Sequence, residues 1–574
     1  MRIYQFLTVS LIVLLACSTN NTPTFEVSVT VDPPEAGSVI STPSESIADK
    51  GTSISLRAEA NEGWVFGNWG GDINSTNNPT TFTLDSDKSI VANFEEKKYP
   101  LSINIVGEGE VTEQVIALPK SADYLSGTIV RLTAVPAEDW LFQGWAEFPD
   151  SSYTIDLVIT EATSVTVTFK SDFWKRLDNG VTITCSKAAI GETGIIDGVE
   201  YTKRTREQIT VENAATTCTS GIEDMNQLFY YKEGFNEDIS HWDVSSVTNL
   251  SEMFYYTKSF NQDISEWDVS SVTNMRKMLH SNELFNQDIS KWDVSSVTNM
   301  SDLFGRCKRF NQDISNWDVS SVTDMSYMFW DAISFNQNIG DWDVSSVTNM
   351  FAMFVGAISF NQDISNWDVS NVTNMRAMFS NTLFNQDITG WNVSSVTNMA
   401  EMFASAAFNQ NISEWDVSNV TDMSSMFVGK FDYANIFNQD ISNWDVSSVT
   451  KTYRMFTFSE FNQDISEWDV SSVTDMAEMF SFTPFNQDIS NWDVTSVINM
   501  YGMFYNAQLF NQDIGSWDVN SVNNLDLMFY YAKAFNQNLS KWCVSYFTSE
   551  PYKFSEDSPL TEENKPKWGT CPSN

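Results

Sequence analysis

Phe310-Asn-Gln-Asp-Ile-Ser-Asn-Trp317-Asp-Val-Ser-Ser-Val-Thr-Asp-Met325-Ser-Tyr-Met328-Phe329 is one copy of a phrase that runs through more than half of this chain. Its tryptophan recurs at 242, 267, 292, 317, 342, 367, 391, 415, 444, 468, 492, 517 and 542. The intervals are 24 or 25 residues except one of 29, between Trp415 and Trp444. A fixed period of 20–30 residues with fixed apolar slots predicts coils stacked into a solenoid, each covering the apolar side of the next.

Within a unit, Asp-Ile-Ser predicts a short parallel strand with Ile inward. Val-x-x-Met-x-x-Met-Phe spaces apolar residues by three and four and predicts a short helical turn. The Ser-Ser before it would supply N-cap hydroxyls. Apart from Met1, every methionine lies in these turns, which points to core packing and away from a soft-metal site. Only Pro484 falls between Phe235 and Trp542, as expected where proline would remove a ladder donor.

Coils about 4.8 Å apart would make thirteen units roughly 60 Å long. Stacking sets Phe over Phe, Trp over Trp and Asn over Asn, with side-chain hydrogen bonds expected along buried Asn rows. Asp rows are harder, because like charges at that spacing repel. Asn replaces Asp before Ile at 338, 411 and 538, and Asn392 replaces it after Trp. The interchange points to an acceptor for backbone amides; structural calcium bridging the Asp rows is the alternative.

The phrase resembles the BspA-like leucine-rich-repeat surface proteins, in the variant named for mycoplasma lipoproteins. That resemblance covers residues 222–542 and implies extracellular adhesion or ligand binding without naming the ligand. Met, Val, Ile, Phe and Trp stand where leucine fills ordinary leucine-rich repeats, so details do not transfer. Caps are expected at 171–221 and 543–574. Cys218 and Cys543 occupy the Asp slot of internal units, which predicts disulfides Cys185–Cys218 and Cys543–Cys571; the alternative is four free thiols. Cys307 stands where other units have Ala332, Ala357 or Ala507 and reads as a small buried filler.

Upstream, residues 25–96 and 97–170 are a duplication. Gly51 to Trp64 and Gly127 to Trp140 are both 13 residues, and Trp64–Trp69 and Trp140–Trp145 are both five. Ser53 to Ala60 and Thr128 to Val135 alternate with period two and predict strands. The pattern resembles the B-repeat module of internalin-type surface proteins, which implies a stalk or spacer. The Trp pairs are expected in the cores; a ligand shelf is the alternative reading. The whole chain is therefore expected to be mainly β, two small modules followed by a capped array.

Residues 1–16 read as an export signal, with an apolar run from Phe6 to Leu15 too short to span a bilayer. Leu14-Leu15-Ala16-Cys17 resembles a bacterial lipobox, which implies lipid attachment at Cys17. An ordinary signal peptide that ends near a cysteine is the alternative. Residues 17–24 would be a polar tether. Ser18 after the lipidated cysteine implies the outer membrane or cell surface.

Seventy-five acidic residues against 32 basic ones give a formal charge of −43, which opposes nucleic acid and anionic lipid. The two histidines, His241 and His280, have no second His or Cys at ligand spacing, so no metal site is expected. The chain has no P-loop, dinucleotide turn, GxSxG or HExxH, and its carboxylate pairs recur in every unit. The best break in the repeat is Val428 to Phe437. A non-enzymatic protein is expected, binding extracellular protein or glycan; carbohydrate capture and an envelope spacer are the alternatives. Oligomeric state is not legible.

Ligand contact needs variation on a fixed scaffold. The residue before Trp varies (His241, Glu266, Lys291, Asn316, Asp341, Gly390) and is expected to be exposed. The two residues after the turn Phe vary too. Tyr255, Tyr256, Tyr530 and Tyr531 near the ends, with Trp330 alone in the middle, are the candidate binding residues. Packing against neighbouring coils is the competing reading of the same rings.

Overall fold

The computed structural model describes residues 22–117, 123–149, 152–176 and 178–572. The expected signal segment and Cys17 lie outside the described residues. Two units divide between Asp172 and Phe173. No described helix is long and apolar enough to cross a membrane.

The first unit holds two modules of the same topology. In the first, β1 (Thr24–Asp32) runs parallel to β7 (Lys88–Glu96), which pairs antiparallel with β5 (Trp64–Gly71). A second sheet contains β2 (Gly37–Thr42), β4 (Ser53–Ala60) and β6 (Thr80–Thr83), and β3 (Ile47–Asp49) joins the edge of β1. The second module opens with β8 (Lys98–Tyr99), which pairs with β11 (Tyr124–Leu125). One sheet of that module places β9 (Leu101–Val106) parallel to β15 (Thr163–Ser171), with β13 (Trp140–Trp145) beside it. Its other sheet is β10 (Gly109–Ala117), β12 (Thr128–Pro136) and β14 (Thr154–Ile159). The alternating residues Ile54, Leu56, Ile90 and Ala92 face one core, and Val130, Leu132, Val165 and Val167 the other. The second tryptophan of each pair is buried, and Trp69 donates through Nε1 to the Asn77 carbonyl at 3.0 Å. Trp64 and Trp140 are only half-buried.

In the second unit, successive copies of the phrase stack coil on coil. Parallel bridges link Asp224, Asn249, Asn274 and Asn299 onward to Asn524, one residue per coil, at the position before the first Met of the turn or the Leu or Thr that replaces it. The pairing therefore falls before Met and not on Asp-Ile-Ser, which forms no assigned strand. The expected helical turn is also absent: Met-x-x-Met-Phe is a run of reverse turns. Met328, Trp330 and Ala332 donate to the carbonyls three residues back, at 3.2, 2.9 and 3.0 Å. The intervening amides of Met325, Tyr327, Phe329 and Asp331 donate to the next coil, at 3.0, 2.8, 2.9 and 2.7 Å. Tyr327 and Asp331 hold φ of +59° and +53°. Left-handed residues stop a helix from propagating and turn alternate amides outward along the stack. Helices and consecutive i→i+3 turns share the same apolar spacing, which is why the pattern alone suggested a helix.

The inward side chains form continuous columns. Phe329 lies 3.9 Å from Phe335 within its coil and 5.5 Å from Phe354 in the next, nearly parallel. Trp292 and Trp317 stack at 6.3 Å and 6°. Each tryptophan from Trp267 onward also donates through Nε1 to the Ile carbonyl of the preceding coil, as Trp317 does to Ile289 at 3.1 Å, and Trp242 donates to Ala214 of the cap at 3.0 Å. All methionines after Met1 are buried. A fully buried ring or thioether contributes about 1.5–3 kcal/mol, so the repeated columns hold the stack together.

The polar slots close turns. Asp313 accepts from the Ser315 amide at 2.9 Å, and Asp318 from the Ser320 hydroxyl at 2.6 Å and its amide at 3.1 Å. The first Ser thus serves Asp318 and caps no helix. Asn338, Asn411, Asn538 and Asn392 accept from the residue two ahead in the same way. Hence Asp and Asn interchange: the turn needs an oxygen, not a charge. The Asn after Phe lies part-way out of the core. Its side chain accepts from the next coil's backbone, as Asn286 does from Asn311 at 2.9 Å, so the expected side-chain-to-side-chain row is a side-chain-to-backbone row. Gln adds a bond to the preceding coil's Asn carbonyl, 2.9 Å for Gln337.

These turn bonds hold several carboxylates below their ordinary range. For Asp313, Asp363, Asp440 and Asp488 the leading cause is the serine amide two residues on. For Asp318, Asp368 and Asp445 it is the serine hydroxyl. A carboxylate depressed on folding stabilises the folded state above its unfolded value, about 3.9, and that contribution is lost as pH falls through the folded value. Ordinary carboxylates protonate first and relieve repulsion. The unfolding temperature, followed by circular dichroism from pH 6 downward, should therefore fall once pH drops below about 4. A flat or rising curve down to pH 2 would contradict the role given to these turns.

The caps close both ends. Cys185 is bonded to Cys218 and Cys543 to Cys571. The N-terminal cap pairs Val199–Lys203 parallel with Thr217–Cys218, and the Ile183 amide donates to the His241 carbonyl at 2.8 Å. At the other end, Leu527 and Phe529 donate to Tyr552 and Phe554 at 2.9 and 2.8 Å, so the cap continues the ladder. Phe554 and Leu560 are buried there, with Trp568 packed beside them.

Candidate functional site

The outward side of the turns carries a face of stacked aromatic rings. Each ring sits where the coil's ladder repeats, so rings from successive coils fall over one another. Tyr230 and Tyr255 are 5.0 Å apart and 11° from parallel; Tyr231 and Tyr256 are 5.0 Å apart at 18°. Tyr255 continues onto His280 at 4.8 Å, and His280 lies 5.9 Å from Trp330. Trp330 is therefore not isolated. His280 bridges it to the tyrosines, and Arg306 lies over its ring at 4.6 Å while contacting the Tyr256 hydroxyl at 3.3 Å. The rings pack on their neighbours, as the competing reading has it, and keep an outer edge in solvent, with Tyr231 51% exposed. Burial, and next the phenols beside it, push the Tyr255 hydroxyl up to about 12.

At the far end Tyr505 stacks on Tyr530 at 5.3 Å, and Tyr530 meets Tyr531 at 4.4 Å. Lys553 lies 4.4 Å over the Tyr530 ring and donates to its hydroxyl at 2.9 Å. Lys533 covers Tyr531 at 4.8 Å. The structure thus joins Tyr255, Tyr256 and Trp330 in one ladder and Tyr530 and Tyr531 in a second.

A third cluster escaped the sequence reading. Phe458 and Phe482 occupy the same slot as Tyr231, Tyr256 and Tyr531, with φ of +55° and +56°. They stack at 4.3 Å, and Phe431 of the insertion stands over them. The signal that could have found them was the second residue after the turn Phe, read in every unit and not only for tyrosine.

The residue before Trp behaves as expected at Lys291, Asn316, Asp341 and Gly390, which are exposed. Glu266 is half-buried and pairs with Lys291 at 2.6 Å. His241 is buried against the N-terminal cap, because Thr217 takes its ring nitrogen at 3.0 Å and Tyr201 packs on it. Burial pulls its imidazole below the usual range. His280 is also buried, with Nδ1 2.7 Å from Asp302. Neither imidazole is hydrogen-bonded to a serine hydroxyl among the described residues. Cys307 is buried with its thiol directed at the Leu279 carbonyl, and burial pushes it far above the ordinary thiol range. Among the described residues no group of three or more His, Cys, Asp or Glu side chains is arranged to hold a metal ion.

A stack of turn-built coils with an aromatic outer face, preceded by two β modules, defines a mainly β repeat protein. The chain belongs to the family described as Mycoplasma protein of unknown function, DUF285, which matches residues 200–313, 280–383, 360–458, 381–483 and 457–568. Residues 27–98 and 99–173 each match the divergent InlB B-repeat domain. No curated protein and no solved structure matches the chain.

Proposed function

We propose that this is a non-enzymatic cell-surface lipoprotein of the BspA-like leucine-rich-repeat type, anchored through Cys17, that binds extracellular protein or glycan through its aromatic ladders. The observation that carries this reading is the tyrosine ladder. Tyr230, Tyr231, Tyr255 and Tyr256 stack at 5.0 Å spacing on a rigid backbone ladder, with part of each ring in solvent. Stacked rings held before binding lose little conformational entropy on contact, which suits them to protein and sugar partners. The B-repeat modules support a stalk that holds the array away from its anchor. Carbohydrate capture for nutrient uptake is the second reading, favoured by the regularly spaced, phenol-bearing edges of Tyr230, Tyr231, Tyr255 and Tyr256, which suit sugar hydroxyls.

Changing Tyr255, Tyr256, Tyr530 and Tyr531 together to Ser should lower binding to intact target cells at least tenfold, with the unfolding midpoint measured alongside. Undiminished binding by a folded variant would sink the ladder assignment. A glycan array separates sugar from protein ligands, and protease shaving of live cells tests the outward orientation.

A further inference from the structure

The interval of 29 residues between Trp415 and Trp444 holds an insertion that the fold alone does not need. Lys430 and Tyr433 pair as the ends of a small hairpin. Its base is pinned: Asn435 is fully buried, donates from its backbone to the Phe458 carbonyl at 2.9 Å, and reaches the Phe403 carbonyl through Nδ2 at 2.8 Å. A Cβ at Gly429 would lie 2.0 Å from the Phe458 carbonyl oxygen, so only glycine lets the hairpin leave the coil here. The hairpin roofs a groove of about 550 Å³. Phe458 and Phe482 form its floor, and Phe431 stands nearly perpendicular to both, at 84° and 80°, as a wall. Phe431 is 84% exposed. A ring so exposed, on a hairpin so firmly held, gains nothing for the fold by being aromatic.

Two features specify the occupant. Elsewhere on this face the rings carry cations of the chain's own: Arg306 over Trp330, Arg376 over Phe351, Arg454 over Tyr453, Lys553 over Tyr530. Among the described residues no lysine or arginine lies over Phe431, Phe458 or Phe482. Two carboxylates line the groove against one cation, Lys430. Asp432 and Glu460 line it with no ion-pair partner among the described residues, and Lys430 is bonded to Asn381, two coils back, at 2.6 Å. The whole chain adds a charge of −43, which draws cations toward it.

We propose that this groove docks a basic segment of a partner protein, with an arginine guanidinium laid between Phe431 and the Phe458–Phe482 floor and paired with Asp432 and Glu460. A flat guanidinium fits a slot between perpendicular rings and takes carboxylates at its edge. The groove adjoins the second tyrosine ladder, since Phe482 meets Tyr505 at 4.7 Å and Tyr505 stacks on Tyr530, but it lies apart from the ladder of Tyr255 and Tyr256 and does not rest on the ladder assignment.

The test uses the folded chain titrated by calorimetry with the peptide Gly-Arg-Gly-Arg-Gly and with its uncharged citrulline counterpart. Saturable binding of the arginine peptide is expected, with the citrulline peptide bound at least tenfold more weakly. Phe431→Ser changes no charge, lies at an exposed position, and should weaken binding roughly tenfold. Asp343→Asn, an exposed charge removed elsewhere, should change it less than about twofold. A variant with Tyr255 and Tyr256 changed to Ser, in the ladder away from the groove, should bind the peptide as the parent does. The proposal is overturned by equal affinity of the parent and Phe431→Ser, by no saturable binding, by equal binding of the citrulline peptide or a neutral oligosaccharide, or by loss of binding in the variant with Tyr255 and Tyr256 changed to Ser.

Discussion

Trp342→Ala is expected to destabilise the array by about 3–5 kcal/mol, as large-to-small changes in close-packed cores do. Trp342 is 3% exposed and donates through Nε1 to the Ile314 carbonyl, at 3.1 Å, in the preceding coil. The truncation opens a cavity between coils and removes the bond that links them. Each coil touches mainly its neighbours, so a defect near the centre weakens coupling on both sides. Urea unfolding should show a lower midpoint and a broadened or split transition. Trp342→Phe, which keeps an aromatic ring in the column, should recover most of the loss. A cost below about 1 kcal/mol for the alanine variant would mean the tryptophan column is not what couples the coils.

The Cys185→Ser, Cys218→Ser double variant is expected to lose roughly 3–4 kcal/mol, from the closure entropy of the 33-residue separation it releases. Both cysteines are buried beside Phe173, Ile183 and Ala188, in a small cluster distinct from the main core. The cap also sends Ile209 and Ala214 into the main core, so the cross-link bears most on the segment around Ile183. The cap covers the first coil through the Ile183–His241 backbone bond, so its release should expose that coil. Hydrogen exchange should rise first at Trp242 to Met253 and leave coils beyond Trp342 protected. Uniform exchange, or an unchanged midpoint, would show that the cap holds without its cross-link.

Much of the array was legible because stacking writes itself into the sequence as period. A residue that must lie over its own copy in the next coil recurs at one interval, so Trp317, Phe310 and Ile314 announced themselves as core. The Asp-to-Asn exchanges at 338, 392, 411 and 538 were enough to show an amide acceptor. Local geometry was not legible in the same way. Met325, Met328 and Phe329 have helical spacing, yet residues such as Tyr327 sit at positive φ and send alternate amides to the next coil. Nothing in the spacing distinguishes a helix from successive turns, since both bring i and i+3 together.

The same division runs through the site. Sequence by itself determined that the chain is a stack of near-identical coils, which positions face inward, and that the outward slots after the turn Phe vary. Only the tertiary structure decided which varied residues meet. Trp330 joins Tyr255 through His280, His241 vanishes under a cap, and Phe431 finds Phe458 and Phe482 across the insertion. The reason is physical: period marks which slots recur, but what meets in a varied slot depends on the side chain each coil carries there. Tyr255, His280 and Trp330 share one slot, and Gly305 between the last two leaves no side chain to part them, while the cap over His241 and the hairpin carrying Phe431 follow paths the repeat does not encode.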